Sequence, residues 1–125
     1  MDNYQALQEF WSGFGVNAYD EQTVFSNGEQ PAYPHITYES AGGGYLNTTT
    51  LSASIWDRTP SWSWLKQKAE QIKKYIGHGG VSLRTDDGII WIKLPETTAF
   101  SQPIDSGEDT VKRMHLTIEV DFMTT

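Results

Sequence analysis

Residues 59–80, TPSWSWLKQKAEQIKKYIGHGG, decide how the rest of the chain is read. Trp62, Leu65, Ala69, Ile72 and Ile76 recur at spacings of three and four, the period of an α-helix that lays one apolar stripe on a core. Burying each large member is worth about 1.5–3 kcal/mol, so the stripe is the helix's main reason to form. Thr59 or Ser61 is the expected N-cap, Pro60 is tolerated in the first turn, and Gly77, Gly79 and Gly80 supply the stop. Lys66, Glu70 and Lys74 are spaced for weak i to i+4 pairs. Trp64 does not fit. Two positions from Trp62, it points about 160° away around the helix, on the side of Lys68 and Tyr75. Its cover has to come from the N-terminal helix, from the loop at 95–110 or from another subunit.

Strand patterns flank this helix on both sides. Upstream, LNTTTLSASIWD at 46–57 sets Leu51, Ala53 and Ile55 on one face and Thr50, Ser52 and Ser54 on the other. PHITYES reads as a strand before it, paired antiparallel, with AGGG as the flexible turn between them. Downstream, VSLRTDDGIIWIKLP spells a hairpin turned at Asp87-Gly88. VKRMHLTIEVDFM then alternates Met114, Leu116, Ile118, Val120 and Phe122 inward with His115, Thr117, Glu119 and Asp121 outward. Near the start, Tyr4, Leu7, Phe10, Trp11 and Phe14 predict a helix over 3–13, capped by Asp2 or Asn3 and ended by Gly13 and Gly15. Residues 16–34 are irregular, although VNAY has the composition of a short strand. Residues 95–110, PETTAFSQPIDSGEDT, read as a long polar loop with four acids and no base, a length that is usually functional or mobile. The expectation is an α+β domain over 1–125, order α-β-β-α-β-β-β, with a mainly antiparallel sheet covered on one face by two helices.

Composition narrows the function. The chain of 125 residues has no cysteine, which removes disulfides, thiolate nucleophiles and cysteine metal sites. MDNYQALQEFW lacks the charged and apolar regions of a signal peptide, and no apolar run reaches membrane-span length, so assembly in the cytoplasm without membrane attachment is expected. The net charge of −7 is uneven: residues 1–57 carry seven acids and no Lys or Arg, and all nine bases fall from Arg58 onward. That distribution opposes a groove gripping phosphates and suits a surface that nucleic acid slides past. It equally suits an ordinary acidic surface.

Searches for chemistry mostly end in structural readings. His35, His78 and His115 fall in no metal-ligand frame, and two of them sit at outward strand positions. GHGG follows a helix, whereas phosphate-binding loops precede one. DDG fits a hairpin turn better than a calcium loop, and NTTTLSAS holds no nucleophile elbow. No cofactor, metal or enzymatic activity is expected.

Taken together, the short helix ending FWSGFGVNAYD, the Pro-flanked strand YPHITYE, the strand LSASIWDRT running into the helix WLKQKAEQIKKYIG, the hairpin, the acidic linker and the closing strand MHLTIEVDF resemble the phage tail terminator family, also labelled tail completion or minor capsid proteins. The resemblance spans nearly the whole chain and includes no catalytic signature. It implies a structural virion protein, made in the host cytoplasm, that forms a hexameric ring. The ring caps the tail tube, meets the tube protein and a head-completion or neck protein, and leaves a channel that DNA traverses without specific binding. Two alternatives stay open: a head-completion or stopper protein of the neck, and a small binding module unrelated to viruses. Interface contacts are expected from Trp64, Trp56, Phe100, Ile104, Asp105, Glu108 and Asp109. Lumen acids are expected from Glu119, Asp121, Asp20 and Glu21, with the helix lysines outside.

Overall fold

A computed structural model describes residues 2–22, 31–40, 48–86, 88–105, 107 and 110–124. In chain order it contains α1 (Asn3–Ser12), β1 (Asn17–Asp20), β2 (His35–Tyr38), β3 (Thr48–Arg58), α2 (Ser63–Ile76), β4 (Val81–Thr85), β5 (Gly88–Lys93), β6 (Ser101–Ile104) and β7 (Val111–Thr124). The order of the predicted elements is kept, and two short strands, β1 and β6, are added to it. The expected turn at 41–44, Asp87 of the hairpin turn, Glu108 and Asp109 lie outside the described residues.

One seven-stranded sheet runs β1-β2-β3-β7-β5-β4, with β6 paired to β7 beside β5. Only β1 and β2 are parallel; every other pairing is antiparallel. β7 is the spine, pairing with β3 from Thr48↔Asp121 to Arg58↔Val111, and with β6 and β5 along its other edge. Register places Ile36, Ile55, Met114 and their neighbours on one face. That face holds the core, where Leu51, Ala53, Leu116, Ile118, Val120, Ile90 and Ile92 meet the buried sides of both helices.

Each helix forms for reasons legible in its ends and its stripe. α1 begins in a capping box: the Gln5 amide donates to Asp2 Oδ1 at 2.8 Å and the Asp2 amide to Gln5 Oε1 at 3.0 Å. Its buried Leu7, Phe10 and Trp11 enter the core, Trp11 stacking on Tyr38 at 6.3 Å. α2 buries Leu65, Ala69, Ile72 and Ile76 as the spacing requires. Trp62 packs against the same core from the edge of that stripe, without being buried with it. It occupies the cap position ahead of the first helical turn and is only half-buried, with Lys112 Nζ 5.8 Å from its ring centre. Neither Thr59 nor Ser61 is the N-cap. Instead Ser61 Oγ accepts from the Ser63 amide and Thr59 Oγ1 from the Ser61 amide, a pair of hydroxyl turns that lead into the helix.

The polar loop at 95–110 also differs from expectation. Ser101–Ile104 is a strand, and Pro103 is tolerated because β6 lies at an edge, with only β7 as partner. Phe100 at its head is buried in the core, and its carbonyl accepts from the Thr117 amide at 2.8 Å.

Candidate functional site

The sheet face turned away from α1 and α2, helix-free among the described elements, is built by register. His35 on β2 lies opposite Trp56 on β3, and Trp56 opposite Arg113 on β7. These side chains stack across the strands: His35 is 6.2 Å from Trp56 with the rings 15° apart, and the Arg113 guanidinium lies 4.9 Å from the Trp56 ring centre. Tyr33 adds its ring 5.1 Å from His35 and carries the Arg58 guanidinium at 5.2 Å. Hydrogen bonds lock the row, with Trp56 Nε1 donating to Thr37 Oγ1 and Arg113 Nε to Ser54 Oγ, each at 2.9 Å. His35 is buried, and that burial pushes its imidazole below the usual range against the Ala32 carbonyl beside it. One row further along, His115 Nδ1 is buried without a hydrogen-bond partner among the described residues, and burial, then the neighbouring Arg113 charge, push that ring below the usual range. At the margin of this face Glu21 is pushed up by burial and by the nearby Glu39 carboxylate.

Farther along the same face the sheet turns acidic but not unpaired. Asp121 accepts from Thr48 Oγ1 at 2.6 Å and pairs with Lys93 at 2.9 Å. The Thr48 hydroxyl and then the Lys93 ammonium hold its carboxyl below the usual range. Lys93 itself lies 4.9 Å from the Trp91 ring centre.

On the helix side, an open cleft of about 650 Å³ lies between α1 and the β1–β2 edge, lined by Tyr4, Gln5, Gln8, Glu9, Asp20 and Tyr38. Gln8 organises it, accepting from the Tyr38 hydroxyl and donating to the Ala18 carbonyl at 2.9 Å. Burial, with the Asp20 carboxylate adding to it, pushes the Tyr38 hydroxyl up to about 12. Asp20 accepts from the Gln22 amide at Oδ1, 2.9 Å away, and from the Ser40 hydroxyl at Oδ2. A second groove of about 340 Å³ lies over Phe10, Phe14, Tyr75 and Leu83 between the two helices.

The expected interface residues scatter over these surfaces. Trp64 is half-buried against the core on the α1 side of α2, with Lys68 Nζ 5.6 Å from its ring centre and donating to the Phe14 carbonyl at 2.8 Å. Much of the cover for that ring therefore comes from its own chain. Trp56 belongs to the stacked row. Ile104 is half-buried and Asp105 exposed at the β6 edge, but Phe100, 6% exposed, is a core residue and has no ring to offer a neighbour. The lumen set divides as well. Glu119 and Asp121 sit on the helix-free face of β7, whereas Asp20 lines the cleft on the helix side, so the four acids cannot all line one channel. The exposed Lys66, Lys73 and Lys74 lie on the helix layer, away from Glu119 and Asp121.

The sequence reading missed the stacked row and the Tyr4–Gln8–Asp20 cleft. A signal for the row existed, since Trp56 shares the parity of Ser52 and Ser54 rather than that of the core-facing Ile55. Arg58 and Arg113 could join it only once the β3–β7 register was known. Among the described residues, no group of three His, Asp or Glu side chains is gathered to hold a metal ion, and no helix is long and apolar enough to cross a membrane. Comparison with known proteins gives no match to a family model, a curated protein or a solved structure.

Proposed function

We propose that this chain is a structural protein of a phage-type particle: a ring that caps the tail tube, joins it to the neck and leaves a channel for DNA. The observation that carries the reading is the layering. The element order behind the tail-terminator resemblance folds into one sheet with both helices on the same face. That leaves the opposite face, carrying Thr50, Ser52, Thr117, Glu119 and Asp121, turned away from α1 and α2. The Glu119 and Asp121 end of that face, removed from Arg58 and Arg113 and with Lys93 already paired to Asp121, suits a passage that must not bind phosphates. The charge asymmetry adds support, because an acidic N-terminal half and a basic α2 give one fold two electrostatically different sides.

In this reading Glu119 and Asp121 line the channel and the α2 lysines lie away from it. The test is electron microscopy of tails or tail-like particles decorated through a tag on this chain, together with native mass spectrometry of the isolated protein. The expected result is one closed ring, six-fold, at the neck end of the tube. A single copy per particle, or Lys66, Lys73 and Lys74 turned into the lumen, would overturn it.

A further inference from the structure

The helical layer has two ends of opposite charge. With about 100° of turn per residue, Trp64, Lys68, Gln71 and Tyr75 form the flank of α2 that faces α1. Contacts fix this: Tyr75 packs 5.5 Å from Phe14 and 6.2 Å from Phe10, and Lys68 Nζ reaches the Phe14 carbonyl. Lys66 and Lys73 fall on the other flank, beyond Trp62. On α1 the same geometry turns Phe10 toward α2 and Tyr4 and Gln8 away from it, over the cleft. The layer therefore reads acidic cleft, α1, α2, lysine flank, and within one copy the two outer surfaces face away from each other.

The chemistry of those surfaces matches. The cleft offers the Glu9 and Asp20 carboxylates and the exposed face of Tyr4, and no basic residue among the described ones lines it. Across the molecule Lys66, Lys73 and Lys74 are exposed, and none forms an ion pair with a described residue.

We propose that copies of this chain associate head to tail, the lysine flank of α2 in one copy seating in the acidic cleft beside α1 of the next. A contact between two different surfaces leaves each copy with one free cleft and one free flank, so it propagates until rotation closes it. Two-fold pairing could not do this, since it would bring cleft to cleft or lysines to lysines. The proposal deepens the ring reading and rests on it for closure.

The absence of cysteine makes a clean test possible. Chains carrying Gln5→Cys and chains carrying Lys73→Cys are mixed at about 1 mM each, where even a contact with a Kd of about 1 mM is more than about a third occupied, and then oxidised. A disulfide joining the two different variants is expected, with little within either variant alone. Adding Glu9→Lys to the first chain should cut its yield severalfold, and Lys66→Glu on the second should restore much of it. Raising the salt should weaken the untreated pair. Disulfides formed only within one variant would mean like-to-like contact and overturn the proposal. No disulfide alongside a closed ring in native mass spectra would overturn this contact while leaving the ring intact. No disulfide and no ring, either in solution or on tubes, would overturn both.

Discussion

Gly80, where α2 hands over to β4, should be one of the least replaceable positions in the chain. Its φ of +76° is a conformation that L side chains rarely adopt, at a cost of about 1–3 kcal/mol. An added Cβ would also stand 2.5 Å from Trp91 Nε1 and 2.6 Å from the Ile92 carbonyl oxygen. Trp91 lies on the helix-free face and can swing away, but it would give up its 2.9 Å hydrogen bond to the Gly79 carbonyl, worth about 0.5–1.5 kcal/mol. The Ile92 carbonyl cannot move in the same way, because it belongs to β5, which is paired to β4 and β7. Overpacking of this kind adds about 1–3 kcal/mol. Gly80→Ala is therefore expected to cost about 3–5 kcal/mol in urea unfolding followed by tryptophan fluorescence and circular dichroism. Gly79→Ala is the control: no atom lies within 4 Å of its added Cβ, and its cost should stay within about 1 kcal/mol. Gly80→Ala combined with Trp91→Ala should cost less than the sum of the two, because one clash is removed. A Gly80→Ala protein within about 1 kcal/mol of the parent, or a Gly79→Ala protein equally damaged, would refute the reasoning.

Other perturbations separate the tryptophans and the titrating groups. Trp11→Ala should cost about 3–5 kcal/mol, since the ring is 1% exposed and stacked on Tyr38, while half-buried Trp62 and Trp64 should each cost only about 1–2 kcal/mol as alanine, read from melting curves. His35 and His115 both sit below the ordinary value of 6.5, so the fold favours their neutral forms; the resulting stability is complete above pH 6.5 and is lost as pH falls from there toward the folded values. A urea midpoint unchanged between about pH 7 and pH 5 would contradict that placement of the two rings. Asp121 has its pKa lowered from 3.8, chiefly by the Thr48 hydroxyl, so Thr48→Val should raise it in an NMR titration, and the stability it contributes should disappear only as pH falls below 3.8.

The periodic elements were legible in the sequence because their spacing and their burial agree. The α2 stripe from Leu65 to Ile76 and the alternation of β7 from Met114 to Phe122 are both realised residue by residue. Errors arose where an element ends or where polarity hides it. Trp62 sits at the right angle for the stripe, but the helix starts at Ser63, so its ring belongs to the entry turn. β6 is polar, short and contains Pro103, which reads as loop until β7 is seen to offer it an edge. The charged cleft and the stacked row are both tertiary. Gln8 meets Tyr38, 30 residues away, and Arg113 meets Ser54, 59 residues away. No local pattern encodes separations of that size.

The position of β7 also bears on how the chain reaches this fold. It is the last of the described elements, yet it stands between β3 and the β5–β4 hairpin, and Thr48 finds Asp121 across 73 residues. Until residues 111–124 arrive, the β1–β2–β3 and β4–β5 pieces have no strand to join them. Loop-closure entropy on that scale makes such topologies slow to fold, and the waiting edges of β3 and β5 are open to pairing with other chains in the meantime. Between the synthesis of Lys93 and that of Val111 the chain thus holds two half-sheets with no strand between them. A ribosome stalled before Val111 should display an aggregation-prone, protease-sensitive chain rather than a partly native one.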